Sequence, residues 1–424
     1  MNVLDELRWR GLLQDCTEGL EAALAAGPVT AYIGFDPTAP SLHAGSLLTV
    51  MGLARLQRAG HRPIALVGGG TGLIGDPSGK SQERNLLTLE QTAENAEGIR
   101  RQLERFLDFT PGASNAALLR NNVDWLRPIG LLDFLRDVGK HFTVNAMMAK
   151  DSVKRRIEGT EGISFTEFSY QLLQAYDFLV LHDRDRCVLQ LGGSDQWGNI
   201  TAGCDLIRRV RNHRAHGLVW PLLTTASGAK FGKTESGAIW LDAARTSPYR
   251  FYQFWLNADD RDVAQHLRWF TFLDRREIDE IVAGQEAAPE RRGAQRELAA
   301  QVTTIVHGAQ ELAKAERASS VLFGGRLADA DADDVLTVFD DVPALAIPRD
   351  ELSGGIGAVE LAHRTSLVAS KSEGHRLLKQ GGLYVNDRRV TEGDATIGLG
   401  DLIGGRVLVL RKGQRERRVV SAVG

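Results

Sequence analysis

Sulfur is scarce in this chain: 424 residues hold 3 cysteines and 4 methionines, and Cys16, Cys187 and Cys204 lie far apart. An odd count without CxxC spacing builds neither a disulfide framework nor a metal knuckle, which excludes a disulfide-stapled scaffold and fits a reducing, cytoplasmic setting. Long apolar runs are also missing. No segment approaches about 18 uninterrupted apolar residues, so no membrane-spanning helix and no membrane partner are expected. The opening residues have no basic stretch leading into an apolar one and do not read as a secretory signal. Neither sign of charge is in excess: 51 Lys and Arg against 54 Asp and Glu leave a net of −3, so a polyanionic partner must be met by a local patch. With 43% hydrophobic and 25% charged residues, an ordinary folded protein of two or three domains is expected.

Residues 28 to 222 alternate strand-like apolar runs with helical patterns. Val29–Phe35 reads as a buried strand, Pro63–Val67 as a second ending in Gly68-Gly69-Gly70, and Cys187–Leu191 as a third ending in Gly192-Gly193. Between the first two, Leu47, Met51 and Ala54 recur at helical spacing and Gly60 closes the helix. Strand, helix, strand with glycines at the strand ends predicts a doubly wound parallel α/β sheet, whose ligands sit at the carboxyl ends of the strands. From Ser247 the pattern becomes helical, with Pro248 in a first turn and Leu298, Val302, Ile305 and Val306 as one apolar stripe. The acidic run Ala328–Asp334 followed by Pro343, Pro348, Gly354, Gly355 and Gly357 predicts a linker over 328–357. Over residues 360–424, 12 Lys and Arg face 7 Asp and Glu, so a small basic module is appended to an acidic body. Within it Ser370 to Glu373 reads as a capping box, Arg376 and Lys379 share a helix face, and two strands turn at Asn386-Asp387 beside Arg388 and Arg389.

Three glycine-rich loops invite a phosphate reading. Gly70-Thr-Gly72-Leu-Ile-Gly75 matches half of the dinucleotide fingerprint, but Asp76-Pro77-Ser78-Gly79 breaks the helix that should follow, and an acid there repels a pyrophosphate. Gly75 to Ser81 and Gly228 to Thr234 each fall one residue short of a Walker loop. Either alone reads as a solvated surface turn.

In combination they read differently. The segment Tyr32-Ile-Gly34-Phe-Asp36-Pro37-Thr38-Ala-Pro-Ser-Leu-His43-Ala-Gly45-Ser46, together with Lys230-Phe231-Gly232-Lys233-Thr234, resembles the HIGH and KMSKS signatures of class I aminoacyl-tRNA synthetases. Gly72-Leu-Ile-Gly-Asp76-Pro77 and Gly192-Gly193-Ser-Asp195-Gln196-Trp-Gly-Asn199 are similar to motifs of the bacterial tyrosyl-tRNA synthetase family, and the likeness runs almost end to end. The resemblance implies a Rossmann-like catalytic domain over 1–222 with a dimer-forming insertion at Phe134–Ile157. It further implies a signature loop and helical anticodon-side domain over 223–327 and a small α+β RNA-binding module over 358–424.

The implied chemistry is activation of L-tyrosine by ATP, accompanied by Mg²⁺, to tyrosyl-adenylate and pyrophosphate, then transfer to the 3′ end of tRNA(Tyr). A carboxylate is already a nucleophile, so the step needs positioning and positive charge on the phosphates rather than a base. By resemblance Thr38, His43, Lys80, Arg84, Lys230 and Lys233 supply that. Gly34, Asp36, Gly45, Ser46, Gly193, Asp195, Phe231, Gly232 and Thr234 join them around ATP, Gly45 leaving room for the purine. Tyr170, Gln174 and Asp177 stand at i, i+4 and i+7, one helix face. The family likeness gives that row to the amino acid: Asp177 with Tyr32 for the phenol, Tyr170, Gln174 and Asp76 for the ammonium, Gln196 near the carboxylate. Lys371, Arg376, Lys379, Arg388 and Arg389 would meet RNA phosphates, although Gly374 and His375 make that helix less basic than the resemblance leads one to expect. One position departs more sharply: Ser46 stands where the family usually has a second histidine. The alternative it leaves open is a weakened paralogue that binds tyrosine or RNA; a nicotinamide-dependent oxidoreductase is the reading already set aside with the broken fingerprint.

Overall fold

A computed structural model describes residues 2–78, 87–158, 162–224, 226, 231–234, 237–323, 327, 330–339, 342–391, 395–413 and 416–424. The chain divides into two units, residues 1–246 with 255–306, and residues 247–254 with 307–424. The break between Val306 and His307 falls inside the helical stretch expected over 223–327.

In the first unit six strands form one sheet: β1 (Asp15–Cys16), β2 (Thr30–Phe35), β3 (Arg62–Val67), β4 (Leu118–Asn121), β5 (Cys187–Gly193) and β6 (His216–Trp220). Their spatial order is β1-β6-β5-β2-β3-β4. Strands β2 to β6 run parallel. They form the expected doubly wound parallel sheet, to whose edge the short β1 adds antiparallel through Asp15 opposite Val219 and Cys16 opposite Leu218. The central strands are buried along nearly their whole length, as parallel strands covered on both faces must be. From β2 the chain crosses outward to β3 and β4, while β5 and β6 lie on its other side. That reversal opens a crevice at the carboxyl ends of β2 and β5.

Helix α1 (Ala44–Arg58) follows β2 and buries Leu47, Val50, Met51 and Ala54 against the sheet. Helix α2 (Leu89–Leu103) starts at a complete capping box between Thr88 and Gln91. Helices α3 (Phe165–Asp185) and α4 (Trp197–Arg211) cover the sheet, and Phe178 and Leu206 join Tyr32, Ile64 and Leu66 in one apolar cluster. Ser164 caps α3 by accepting the Glu167 N–H, and Arg156 forms a buried two-point ion pair with the Glu167 carboxylate, tying residues before α3 to its first turn. Helix α5 (Asp260–Phe270) packs on α1.

In the second unit a five-stranded sheet has the order Arg388–Arg389, Leu383–Val385, Val407–Lys412, Glu416–Val423, Ala344–Pro348. The stretch 328–357 is not the linker its composition suggested. It carries the helix Ala332–Val338, the strand Ala344–Pro348 and the helix Arg349–Ser353, and the strand pairs parallel with Glu416–Val423 from Ala344 opposite Val419 to Pro348 opposite Val423. Prolines and acids hid a short edge strand whose only core residue is Ile347; Pro348 ends it, where a missing donor costs no ladder bond. The turn at Asn386-Asp387 is as expected, both residues having positive φ, the primed geometry that matches strand twist. Ser370 caps its helix by accepting from the Glu373 N–H, but the Glu373 carboxylate reaches back to the Ala369 N–H instead of closing the box on Ser370.

Candidate active site

A cavity of about 370 Å³ opens at the carboxyl ends of β2, β3, β5 and β6. Its wall includes Gly34, Asp36 and Thr38 after β2, Gly45 and Ser46 from the start of α1, and Asp76 from the loop beyond β3. Tyr170, Gln174 and Asp177 line it from α3, and Gly193, Asp195 and Gln196 from the end of β5. The helical row at i, i+4 and i+7 thus faces inward, not to solvent.

Asp177 is held from two sides. It is 2% exposed; Trp125 Nε1 donates to one carboxylate oxygen at 2.7 Å and Asn122 Nδ2 to the other at 2.9 Å. Burial pushes its carboxyl up to about 7 in spite of those two donors, and the nearby Asp36 adds to the rise. Asn122 also donates to Thr71 Oγ1, which donates in turn to Asp36 at 2.7 Å, while the Tyr170 hydroxyl donates to the other Asp36 oxygen at 2.8 Å. Burial and the carboxylates of Asp36 and Asp76 hold the Tyr170 phenol well above its ordinary range, so it stays a donor to Asp36 and keeps an oxygen lone pair for a cation. Gly68 has no side chain because a Cβ there would lie 2.1 Å from Asp36 Oδ1. Next to this network, Gln196 donates to Asp76 at 2.7 Å, and Asn199 Nδ2 donates to Gln174 at 3.0 Å.

Tyr32 is placed differently from expectation. It is 1% exposed, packs on Phe178 at 5.2 Å, and is not part of the cavity wall. Its hydroxyl has no hydrogen-bond partner among the described residues. Burial first, then the charge of Asp177, raises its phenol well above the usual value, so an intact donor lies buried within the field of that carboxylate.

The two signature segments meet. A Cβ on Gly232 would stand 2.7 Å from the Gly45 nitrogen, and one on Gly45 would stand 3.4 Å from the Phe231 carbonyl oxygen. Gly232 also has φ +78°, open to glycine at no steric cost. The expectation that Gly45 leaves room for a purine needs correcting: the space over its Cα is taken by the His43 imidazole, whose Cε1 and Nδ1 would be 2.8 and 2.9 Å from a Cβ. His43 caps the start of α1, bridges to Trp240 and does not line the cavity. Phe231 likewise turns its ring away, 5% exposed, onto Phe270, His266 and Trp255, so only its backbone faces Gly45. Lys80, Arg84 and Lys230 lie outside the described residues, and of Lys233 and Thr234 only the backbone is described, in a short strand paired with Gly237–Ala238.

Sequence reasoning missed Thr71, Asn122, Trp125 and Asn199. Asn199 ends a quoted motif and Asn122 follows a strand; the strand itself, Leu118–Asn121, was not recognised, so the carboxyl-end position of Asn122 gave no signal.

Comparison with known proteins places this geometry. Residues 24–324 match the family "tRNA synthetases class I (W and Y)" and residues 334–420 match the "Tyrosine--tRNA ligase SYY-like C-terminal domain". A tyrosine–tRNA ligase of Roseiflexus castenholzii is 56% identical over 422 residues, 99% of each chain, and one of Parabacteroides distasonis is 50% identical over 429 residues, 100% of each. Among solved structures, a C-terminally truncated mitochondrial tyrosyl-tRNA synthetase of Aspergillus nidulans superimposes with a TM-score of 0.69 at 32% identity, covering 76% of this chain and 94% of that one.

The raised Asp177 carboxyl has a consequence for stability. A carboxyl that holds its proton to about pH 7 when folded, but only to about 3.9 when unfolded, binds more protons in the native state between those values. Stability therefore falls as pH rises across that window, and the loss is complete above it. Denaturant titrations from pH 4.5 to 8 are expected to show a steeper decline for the wild type than for Asp177→Asn; parallel curves would refute the shifted carboxyl.

Proposed function

The chain belongs to the class I tRNA synthetase family of the tryptophan and tyrosine enzymes, and from that premise we propose that it is a tyrosine–tRNA ligase. It activates L-tyrosine with ATP and passes the tyrosyl group to the 3′ end of tRNA(Tyr). One observation carries the choice of amino acid: the cavity wall holds a carboxylate, Asp177, already fixed by Asn122 and Trp125, and in its field lies the buried Tyr32 hydroxyl, which has no hydrogen-bond partner among the described residues. A para-hydroxyl on the substrate ring can donate to the first and accept from the second. A ligand without it leaves the Tyr32 hydroxyl unpaired, at about 1–3 kcal/mol, and brings no third donor to the buried Asp177. The acids Asp36 and Asp76, with the lone pairs of Tyr170 and Gln174, suit the ammonium, which Asp76 explains better than any phosphate reading does.

In this proposal the substrate carboxylate attacks the α-phosphorus and pyrophosphate leaves. Thr38 and the backbone around Gly45, Ser46 and Gly193 bound the nucleotide's place, with Asp195 suited to the ribose and His43, Lys80, Arg84, Lys230, Lys233 and Thr234 to the phosphates. No group of three or more His, Cys, Asp or Glu side chains stands as a metal cage among the described residues, so Mg²⁺ would be carried by the triphosphate oxygens, adding charge neutralisation there. Ser46 donates its backbone N–H to the His43 carbonyl at 2.7 Å; the serine keeps the turn that starts α1, and relatives named as ligases support the active reading over a weakened paralogue.

Two surfaces complete it. Leu131, Leu132, Leu135, Val144, Met148, Ile157 and Phe165 are all exposed, Leu132 at 80% and Phe165 at 81%. So much apolar surface in one stretch around the insertion suits a second copy of the chain. In the C-terminal module Lys371 is paired with Glu360, Arg388 with Asp401, and Arg389 donates to the Gln380 carbonyl. Arg376 and Lys379 are exposed, and no ion pair is recorded for either among the described residues, so they suit RNA phosphates best. No described helix is long and apolar enough to cross a membrane, and a tRNA-charging role together with bacterial relatives suits a cytoplasmic setting.

Three outcomes are expected. ATP–pyrophosphate exchange proceeds with tyrosine and not with phenylalanine or tryptophan; a tryptophan preference refutes the pocket assignment. The doubly substituted Arg376→Ala, Lys379→Ala protein exchanges normally but binds tRNA more weakly, with a log–log salt slope lowered by about 2; an unchanged slope removes the RNA role. Leu132→Glu shifts the sedimenting species from dimer to monomer, and an already monomeric wild type disposes of the interface.

A further inference from the structure

Helix α5 lies outside the cavity wall, yet one stripe of it, Asp262, His266 and Phe270 at i, i+4 and i+8, points at the second signature loop. Asp262 is 6% exposed, and both its carboxylate oxygens accept the Ala226 N–H, at 3.1 and 3.0 Å. Four residues on, the His266 ring meets Phe231 edge-on at 4.9 Å; another turn on, Phe270 stacks on Phe231 at 5.5 Å and 14°. Burial drives the His266 imidazole down to about 4, so it packs as a neutral ring. The stripe thus grips the chain at Ala226 and again at Phe231, whose neighbour Gly232 touches Gly45.

The other end of α5 is fixed just as firmly. Its last carbonyls have no helical partners, and they and the chain just beyond accept from two arginines: Arg55 of α1, 1% exposed, donates Nη2 to the Trp269 and Thr271 carbonyls at 2.7 and 2.9 Å, and Arg10 donates to those of Arg268 and Leu273 at 2.8 Å each. Trp269 Nε1 returns a bond to the Arg10 carbonyl at 3.0 Å. Arg55 sits on the same helix that begins at the first signature, so α5 is a strut between the two signatures.

We infer that Asp262, His266 and Phe270 are positioning residues for the activation step, holding the second signature loop at the register that brings Gly232 onto Gly45, with Arg55 and Arg10 anchoring the strut. The inference rests on the ligase reading and adds residues to it that touch no substrate. A role confined to general stability would lower the melting temperature and leave the kinetics of folded protein alone. A positioning role lowers use of ATP while leaving tyrosine binding as it was.

The test uses the full-length chain with Asp262→Ala, Asp262→Asn and Phe270→Leu, first checked by thermal melting. Steady-state exchange gives kcat and KM for ATP, and equilibrium dialysis without ATP gives tyrosine affinity. Loss of a part-buried charge-assisted hydrogen bond predicts a drop of about ten-fold in kcat/KM for ATP in Asp262→Ala. Asp262→Asn, which keeps one acceptor oxygen, should fall between, and tyrosine affinity should stay within about two-fold. Should Asp262→Ala not fold, Asp262→Asn and Phe270→Leu carry the same comparison. Unchanged ATP kinetics in the folded variants, or an equal loss of tyrosine affinity, overturns the inference while the ligase reading stands. A wild type without tyrosine-dependent exchange overturns both.

Discussion

The site depends on two backbones touching where neither has a side chain. Gly45 lies in the first turn of α1 and Gly232 far along the chain, and a Cβ on Gly232 would press into the Gly45 backbone. Close packing makes such a contact all-or-none, since there is no slack for a methyl group between main chains. Around it the molecule spends large residues: an imidazole over Gly45, and an aromatic box for Phe231. The polar groups of the crevice inherit their geometry from that contact, because the start of α1 is both its platform and part of the cavity wall.

The acids of the crevice show a different economy. Asp36 and Asp177 are linked through Thr71 and Asn122 in one hydrogen-bonded chain, which keeps two like charges at fixed places in a poorly hydrated wall. Without a ligand the arrangement is unfavourable: the Asp177 carboxyl is shifted upward and the Tyr32 hydroxyl has no hydrogen-bond partner among the described residues. In the proposed reading both penalties belong to the free protein and are relieved by a ligand that brings a hydroxyl. A pocket built this way selects by what it leaves unpaired with the wrong guest.

Much of this was legible in the sequence. Apolar runs located β2, β3 and β5, the last two ending in glycine, helical spacing put Tyr170, Gln174 and Asp177 on one face, and signature motifs linked distant segments that meet in space. What escaped had physical reasons. Strand β4 reads Leu-Leu-Arg-Asn, half-buried at an edge, too short for periodicity, and with it went Asn122. Gly45 looked like room for a base because sequence shows a missing side chain but not what fills the gap. The strand Ala344–Pro348 carries proline and alternates only weakly, so it passed for a linker; its pairing partner lies some seventy residues on, beyond any local pattern.

That partner has an implication for how the protein is made. Glu416–Val423 lies between Val407–Lys412 and Ala344–Pro348 in the sheet, an interior plank added after its neighbours on both sides have been synthesised. On a ribosome delivering about 5–20 residues per second, the Rossmann-type unit, complete by Val306, has seconds in which to assemble before this sheet can close. During that interval Ala344–Pro348 has no partner and Val407–Lys412 shows a bare edge. Nascent chains crowded along one message would be most prone to cross-pair there, and a stalled or shortened product would carry an intact first unit beside an unfinished second one.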